Sequence, residues 1–215
     1  MRANNRPFVV TTIISAVLLG AVLFLHLWKD VPIVRLTGDP ADFGEVTVYT
    51  GFLSQVGILL WSGAASVCFF CGKVLPRSIV DNRFRRFLLI SGVLTLYLAL
   101  DDMFLLHEKV LPHFGIPQNF VLGSYVVITL AYLFGFHRTI LVTNYRLIVF
   151  SLFFFTISVA LDVFKPFDYY LHFFEDGAKL VGLVNWTAYF ISVGKRAIDP
   201  DFEEVGKPEN STRVA

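Results

Sequence analysis

Charge is scarce in this sequence. Lys, Arg, Asp and Glu make up 16% of its 215 residues and hydrophobic residues 55%, whereas soluble domains average about 25% charged and about 45–50% apolar. This balance excludes an ordinary soluble domain, and it excludes a disordered chain because disorder needs low hydrophobicity. A basic excess is also missing, since 18 Lys and Arg face 17 Asp and Glu. We therefore expect no nucleic-acid partner.

Cysteine is nearly absent as well. The two cysteines, Cys68 and Cys71, form a CxxC pair, a spacing that redox proteins and metal sites use. No second pair accompanies them, so we interpret both as small apolar residues packed in the interior. Nucleotide-binding loops, nucleophile elbows and HExxH motifs are missing too, and therefore no sequence motif points to a particular reaction.

Long apolar runs are what the sequence has in abundance. A helix needs about 20 mostly apolar residues to cross a bilayer. Six stretches qualify: Phe8–Trp28, Val46–Phe70, Phe87–Leu106, Phe120–Phe136, Leu147–Phe164 and Tyr170–Val193. The predicted fold class is therefore all-α, a polytopic membrane bundle of six transmembrane helices with the lipid bilayer as its surroundings.

The basic residues predict the orientation of these helices. Thirteen of the 18 Lys and Arg residues fall in the segments on one side, four fall on the other, and Lys179 lies within a predicted span. Cytoplasmic loops of membrane proteins are enriched in Lys and Arg. Both termini are therefore predicted to be cytoplasmic.

The sequence predicts a single domain. Residues 1–198 form the six-helix transmembrane domain, and the polar residues 199–215 form a disordered cytoplasmic tail. The first apolar run is longer than the core of a typical signal peptide, so we interpret it as a retained helix. A compact chain with short loops favours the inner membrane of a bacterium as its location.

The intramembrane charges are the main functional signal. Such groups are costly and usually face the bundle interior or a wet cavity. Here they come from the third, fifth and sixth helices, and the predicted topology places all of them in the outer half of the membrane. In a continuous helix with about 100° per residue, Asp101 and Glu108 would project in nearly the same direction.

This group of charges predicts an ion or proton site. Carboxylates outnumber cations, and they cannot all stay ionised in a low-dielectric site without a bound cation, protons or water. The candidate residues for this site are Asp101, Asp102, Asp162, Glu175, Asp176 and Lys179. Carboxylate with imidazole is also a ligand set for a divalent metal ion. The candidate metal ligands are Asp101, His107, Glu108 and His172.

Three functions stay open at this point. The carboxylate excess favours cation- or proton-binding transport or sensing, and a transporter this small would need to form a homo-oligomer. The alternative is a membrane-embedded, metal-dependent hydrolase acting on a lipid or other amphiphile, in which Glu175 or Asp102 activates a metal-bound water. A further alternative is a structural or accessory membrane subunit whose polar groups form a static network.

Overall fold

The computed structural model describes residues 6–38, 44, 47, 49–75, 81–164 and 169–198. Its secondary structure in these ranges is entirely helical. The chain divides after Gly51 into two compact units. The predicted tail, residues 199–215, lies outside the described residues.

The first unit contains two helices. Helix α1 spans Arg6–Lys29, and the short helix α2 spans Ile33–Thr37. Asp30 separates them with a positive φ of 52°, and the Nδ1 atom of His26 lies 2.8 Å from the carbonyl oxygen of Val31. The polar end of α1 is thus tied to the segment that follows it.

The second unit contains five long helices. They are α3 (Phe52–Val74), α4 (Asn82–Phe104), α5 (Gln118–Leu141), α6 (Tyr145–Phe164) and α7 (Tyr169–Ile198). A five-residue π-helical turn, Leu106–Val110, and a single helical turn, Leu111–His113, join α4 to α5. Asp81 starts α4 by accepting a hydrogen bond from the backbone N–H of Arg83, as a helix N-cap does.

Each of the six predicted apolar stretches overlaps a helix, but not all of these helices are both long and apolar enough to cross a membrane. Among the described residues, four segments are long and apolar enough to cross a membrane: α3, α4, α5 and Tyr145–Val163 of α6. The corresponding apolar part of α1, Ser15–Lys29, is shorter. The chain is therefore an apolar helical bundle of the kind found in integral membrane proteins, with four candidate spans.

Glycines let the helices of the second unit approach closely. A Cβ atom added at Gly92 of α4 would lie 2.9 Å from the ring of Phe69 on α3. One added at Gly182 of α7 would lie 2.6 Å from the ring of Phe155 on α6. Small residues at such crossings favour packing between membrane helices, because the helices gain little from the hydrophobic effect in lipid.

Aromatic side chains fill the interior of this unit. Trp61 stacks on Phe155 with ring centroids 5.5 Å apart, and the edge of Trp186 meets Trp61 at 5.8 Å. Trp186 also packs against Phe190, which is fully buried. Cys68 and Cys71 are buried and unpaired, in agreement with their interpretation as packing residues.

One end of the second unit is basic. Arg85 donates hydrogen bonds to the carbonyl oxygens of Gly72 and Leu75, at 3.1 and 2.5 Å, where α3 ends. Arg196 donates to the carbonyl oxygen of Val142, which follows α5, at 2.6 Å. We call Arg83, Arg85 and Arg196 the basic end. Arg85 and Arg196 bind carbonyls at or beyond the C-terminal ends of helices, which have no partner within their own helix. Arg83 donates to the carbonyl oxygen of Gly135 within α5 at 3.4 Å.

Candidate functional site

The opposite end of the second unit contains a cavity of about 210 Å³. It lies between the first turns of α3, the end of α4 with the π-helical turn that follows, and the early turns of α7. Its lining residues are Leu53, Ser54, Gly57, Asp102, Leu105, Glu108, Asp176, Lys179, Leu180 and Leu183. Four of the residues predicted to form functional sites therefore share one cavity: Asp102, Glu108, Asp176 and Lys179.

An ion pair forms the inner wall of this cavity. The Nζ atom of Lys179 donates to Oδ1 of Asp102 at 2.7 Å, and the indole N–H of Trp61 donates to Oδ2 at 2.9 Å. The Asp102 side chain is 10% exposed, whereas that of Lys179 is 37% exposed. The Lys179 side chain is thus partly exposed while its carboxylate partner is held by two donors.

Glu108 and Asp176 supply the other carboxylates of the cavity, and both residues are exposed. Oε1 of Glu108 lies 3.6 Å from Nε2 of His107. Asp176 and Lys179 are three residues apart on α7, on neighbouring positions of one helix face. Three carboxylates and one ammonium group therefore line the same space.

Asp101 belongs to a separate network beside the cavity. Its Oδ1 atom accepts hydrogen bonds from the backbone N–H of His107 at 2.9 Å and from the hydroxyl of Tyr125 at 2.7 Å. Its Oδ2 atom lies 2.5 Å from Nδ1 of His107. Burial by itself lowers the pKa of His107, but the hydrogen bond and charge of Asp101, with Glu108, raise this pKa above its ordinary value.

The break after α4 creates this network. Leu105 has a φ of 51° in the left-handed region, and its N–H bonds to the carbonyl oxygen of Asp101, a conformation that bulky residues rarely adopt. The π-helical turn then brings His107 back onto Asp101, while Glu108 reaches the cavity. The expected continuous helix across Asp101 and Glu108 is therefore interrupted, and the two carboxylates lie at opposite ring nitrogens of His107.

The remaining predicted residues lie elsewhere or outside what the structure describes. Asp162 on α6 accepts a hydrogen bond from the side-chain amide of Gln118 on α5 at 2.9 Å and does not line the cavity. Glu175 is half-buried next to Asp176 in sequence but is also not a lining residue. The side chain of His172 lies outside the described residues.

Comparison with known families adds one match. A family model described as "Domain of unknown function (DUF8692)" matches residues 11–193, which is most of the chain. The chain belongs to this family. The matched region includes every residue of the cavity. No curated protein and no solved structure matched the chain.

The described part of this DUF8692 chain does not support a metal-binding site. No group of three or more His, Cys, Asp or Glu side chains there is arranged to hold a metal ion. The carboxylates of Asp101 and Asp102 are instead bound by protein donors. Because the side chain of His172 lies outside the described residues, the four-residue metal site stays a prediction.

Sequence reasoning missed several partners in this DUF8692 domain. Trp61, Gln118 and Tyr125 each donate a hydrogen bond to one of the predicted carboxylates. A signal for two of them exists, because a Trp or Tyr within an apolar helix needs a partner for its N–H or O–H. Leu105 gives no such signal, since nothing in its residue type favours a left-handed conformation.

Proposed function

We propose that this protein is an integral membrane protein that binds a cation or protons in the cavity at its acidic end, for sensing or transport. We define the acidic end as Asp101, Asp102, Glu108 and Asp176. The supporting observation is the cavity itself, in which three carboxylates face a single ammonium group. When all four groups are ionised, the cavity has an excess of negative charge that attracts a cation.

The proposed topology has six spans and cytoplasmic termini. The basic end supports it. Arg83, Arg85 and Arg196 lie at one end of the second unit, and the positive-inside rule assigns such an end to the cytoplasm. Helices α1 and α7 would supply the two spans beyond the four that hydropathy identifies. The cavity then faces the outside of the cell, and the inner membrane of a bacterium is the proposed location.

Sensing fits the interior of the bundle better than transport. Beyond the ion pair of Asp102, the space is filled by Trp61, Leu183, Trp186 and Phe190, each at most 4% exposed. An ion crossing this region would need the aromatic cluster to separate. Protein interiors packed in this way strongly resist the entry of charge. Binding at the cavity can instead change how α3, α4 and α7 pack.

Binding and flux measurements on the purified protein test this proposal. We expect the melting temperature in nanodiscs to change with cation concentration at constant pH, and Asp176→Asn with Glu108→Gln to remove the change. Asp162→Asn is the matched control, because Asp162 is a half-buried carboxylate outside the cavity. Cation or proton flux in liposomes would identify a transporter, and binding without flux a sensor. The absence of both would contradict the proposal and leave a structural role.

A further inference from the structure

The walls of the cavity are of two chemical kinds. Four leucines, Leu53, Leu105, Leu180 and Leu183, form an apolar surface, and the charged residues form the rest. Inorganic cations such as Mg²⁺ or Ca²⁺ are bound by several oxygen ligands at short distances. A wall of leucine side chains offers no such ligands, whereas it does favour contact with an alkyl group.

The charges within the cavity are unevenly compensated. Lys179 pairs with Asp102 at 2.7 Å, whereas His107 is shared between Asp101 at 2.5 Å and Glu108 at 3.6 Å. Among the described residues, no cationic group lies within ion-pairing distance of Asp176. A ligand with a positive charge would therefore supply Asp176 with a partner that the described residues do not provide.

The size of the cavity also bears on the ligand. A volume of about 210 Å³ corresponds to roughly seven water molecules at about 30 Å³ each. A single dehydrated metal ion would leave most of this space as water against leucine side chains. The volume is below the range of about 300–1,000 Å³ that is typical of drug-sized ligands. A small organic molecule of a few non-hydrogen atoms matches it.

We infer that the cavity binds a small organic monocation, a primary alkylammonium, with its charged end at Asp176 and its alkyl group against the half-buried side chains of Leu53, Leu105 and Leu180. The inference rests on the proposed cation-binding function and names the class of cation. Lys179 shows the same recognition within the protein, because its own ammonium group is held by Asp102. An amine with one charged end and one apolar end therefore matches both walls of the cavity.

A ligand series tests this inference on the full-length protein in nanodiscs. We would measure binding of methyl-, ethyl- and butylammonium chloride by calorimetry at constant ionic strength, with NaCl, MgCl₂ and uncharged 1-butanol as comparison ligands. Each added methylene should strengthen binding by up to about fourfold. Asp176→Asn should weaken butylammonium binding at least tenfold, whereas Asp162→Asn should leave it unchanged.

The outcomes separate this inference from the function on which it rests. Binding of Na⁺, Mg²⁺ or protons without binding of alkylammonium ions would overturn the inference and keep the proposed function. Equal binding of 1-butanol and butylammonium would overturn the inference, because charge would then play no part. An equal loss of binding in Asp176→Asn and Asp162→Asn would do the same. The absence of binding by every cation at every pH tested would overturn both.

Discussion

The two ends of the second unit use their charges in opposite ways. At the basic end, Arg85 and Arg196 bind backbone carbonyls in the last turn of a helix or just beyond it, where the helix dipole favours positive charge. At the acidic end, Asp101 and Asp102 occupy the last turn of α4, where the same dipole disfavours negative charge. Their carboxylates are held by His107 of the π-helical turn that follows and by Tyr125, Trp61 and Lys179 from other helices. The basic end therefore places its charges where helix dipoles favour them, whereas the acidic end needs hydrogen-bond donors to offset an unfavourable dipole.

The largest expected effect comes from breaking the network of Asp101. Asp101→Ala removes the acceptor of three hydrogen bonds, two from His107 and one from Tyr125. We expect it to lower the free energy of unfolding by about 3 kcal/mol, since buried donors lose a charged partner. Asp162→Ala removes the acceptor of one hydrogen bond from Gln118 and should cost about 1 kcal/mol. Equal losses in denaturant titrations of the two variants would contradict this difference.

The ion pair of the cavity gives the next largest effect. Lys179→Met leaves Asp102 with Trp61 as its donor, and we expect a loss of about 1–2 kcal/mol because the 37% exposure of Lys179 allows solvent screening. Adding Asp102→Asn should recover most of this loss, since an amide needs no counter-charge. A double-mutant cycle of unfolding free energies measures the coupling. Additive losses would show that the pair contributes nothing.

The third prediction concerns the basic end and tests the shape of the Arg85 guanidinium group rather than its charge. Arg85→Lys keeps the charge but loses the planar fork that reaches Gly72 and Leu75 together, which should cost about 1 kcal/mol. Arg86→Lys is the control, because the exposed Arg86 bonds to Asn82 of its own helix at 3.4 Å. This change should stay within about 0.5 kcal/mol. Similar thermal denaturation of the two variants would show that binding to carbonyls does not stabilise this end.

The smallest expected effect is a pH dependence confined to the acidic end. The pKa of His107 is raised in the folded protein, chiefly because Asp101 offsets the opposing effect of burial. The stabilisation by protonated His107 is fully present below the ordinary value of 6.5 and is lost as the pH rises through the raised pKa. The melting temperature should therefore fall above pH 6.5 in the wild type and fall less in His107→Gln. His137→Gln, at an exposed histidine of α5, should retain the wild-type profile.

The sequence predicted the helices well because their signal is local. Each apolar stretch overlaps a helix, although α4 begins at Asn82 rather than at Phe87 and ends before Leu106. The early start follows from the N-cap Asp81, a signal that hydropathy alone overlooks. The sequence also predicts that Asp101, Glu175 and Lys179 lie at one level of the bundle, because helix direction and residue rise convert position into depth.

The partners of the carboxylates were beyond sequence reasoning. Which of several acids pairs with Lys179 depends on how α4 and α7 rotate about their axes, and rotation is set by packing. In the structure, Lys179 donates a hydrogen bond to Asp102, and Asp101 is hydrogen-bonded to His107 and Tyr125. Protein donors thus stabilise both aspartates, while the cavity keeps three carboxylates against one ammonium group.

By itself, the sequence determined an apolar helical bundle with basic and acidic residues segregated along its helices, because hydropathy and charge are properties of each segment. Only the tertiary structure decided that Leu105 interrupts α4 and that a cavity opens between α3, α4 and α7. Both depend on the close approach of helices distant in sequence, as where Gly57 of α3 meets Leu183 of α7. Such contacts are set by the shapes of packed side chains, and a linear pattern of residue types does not contain those shapes.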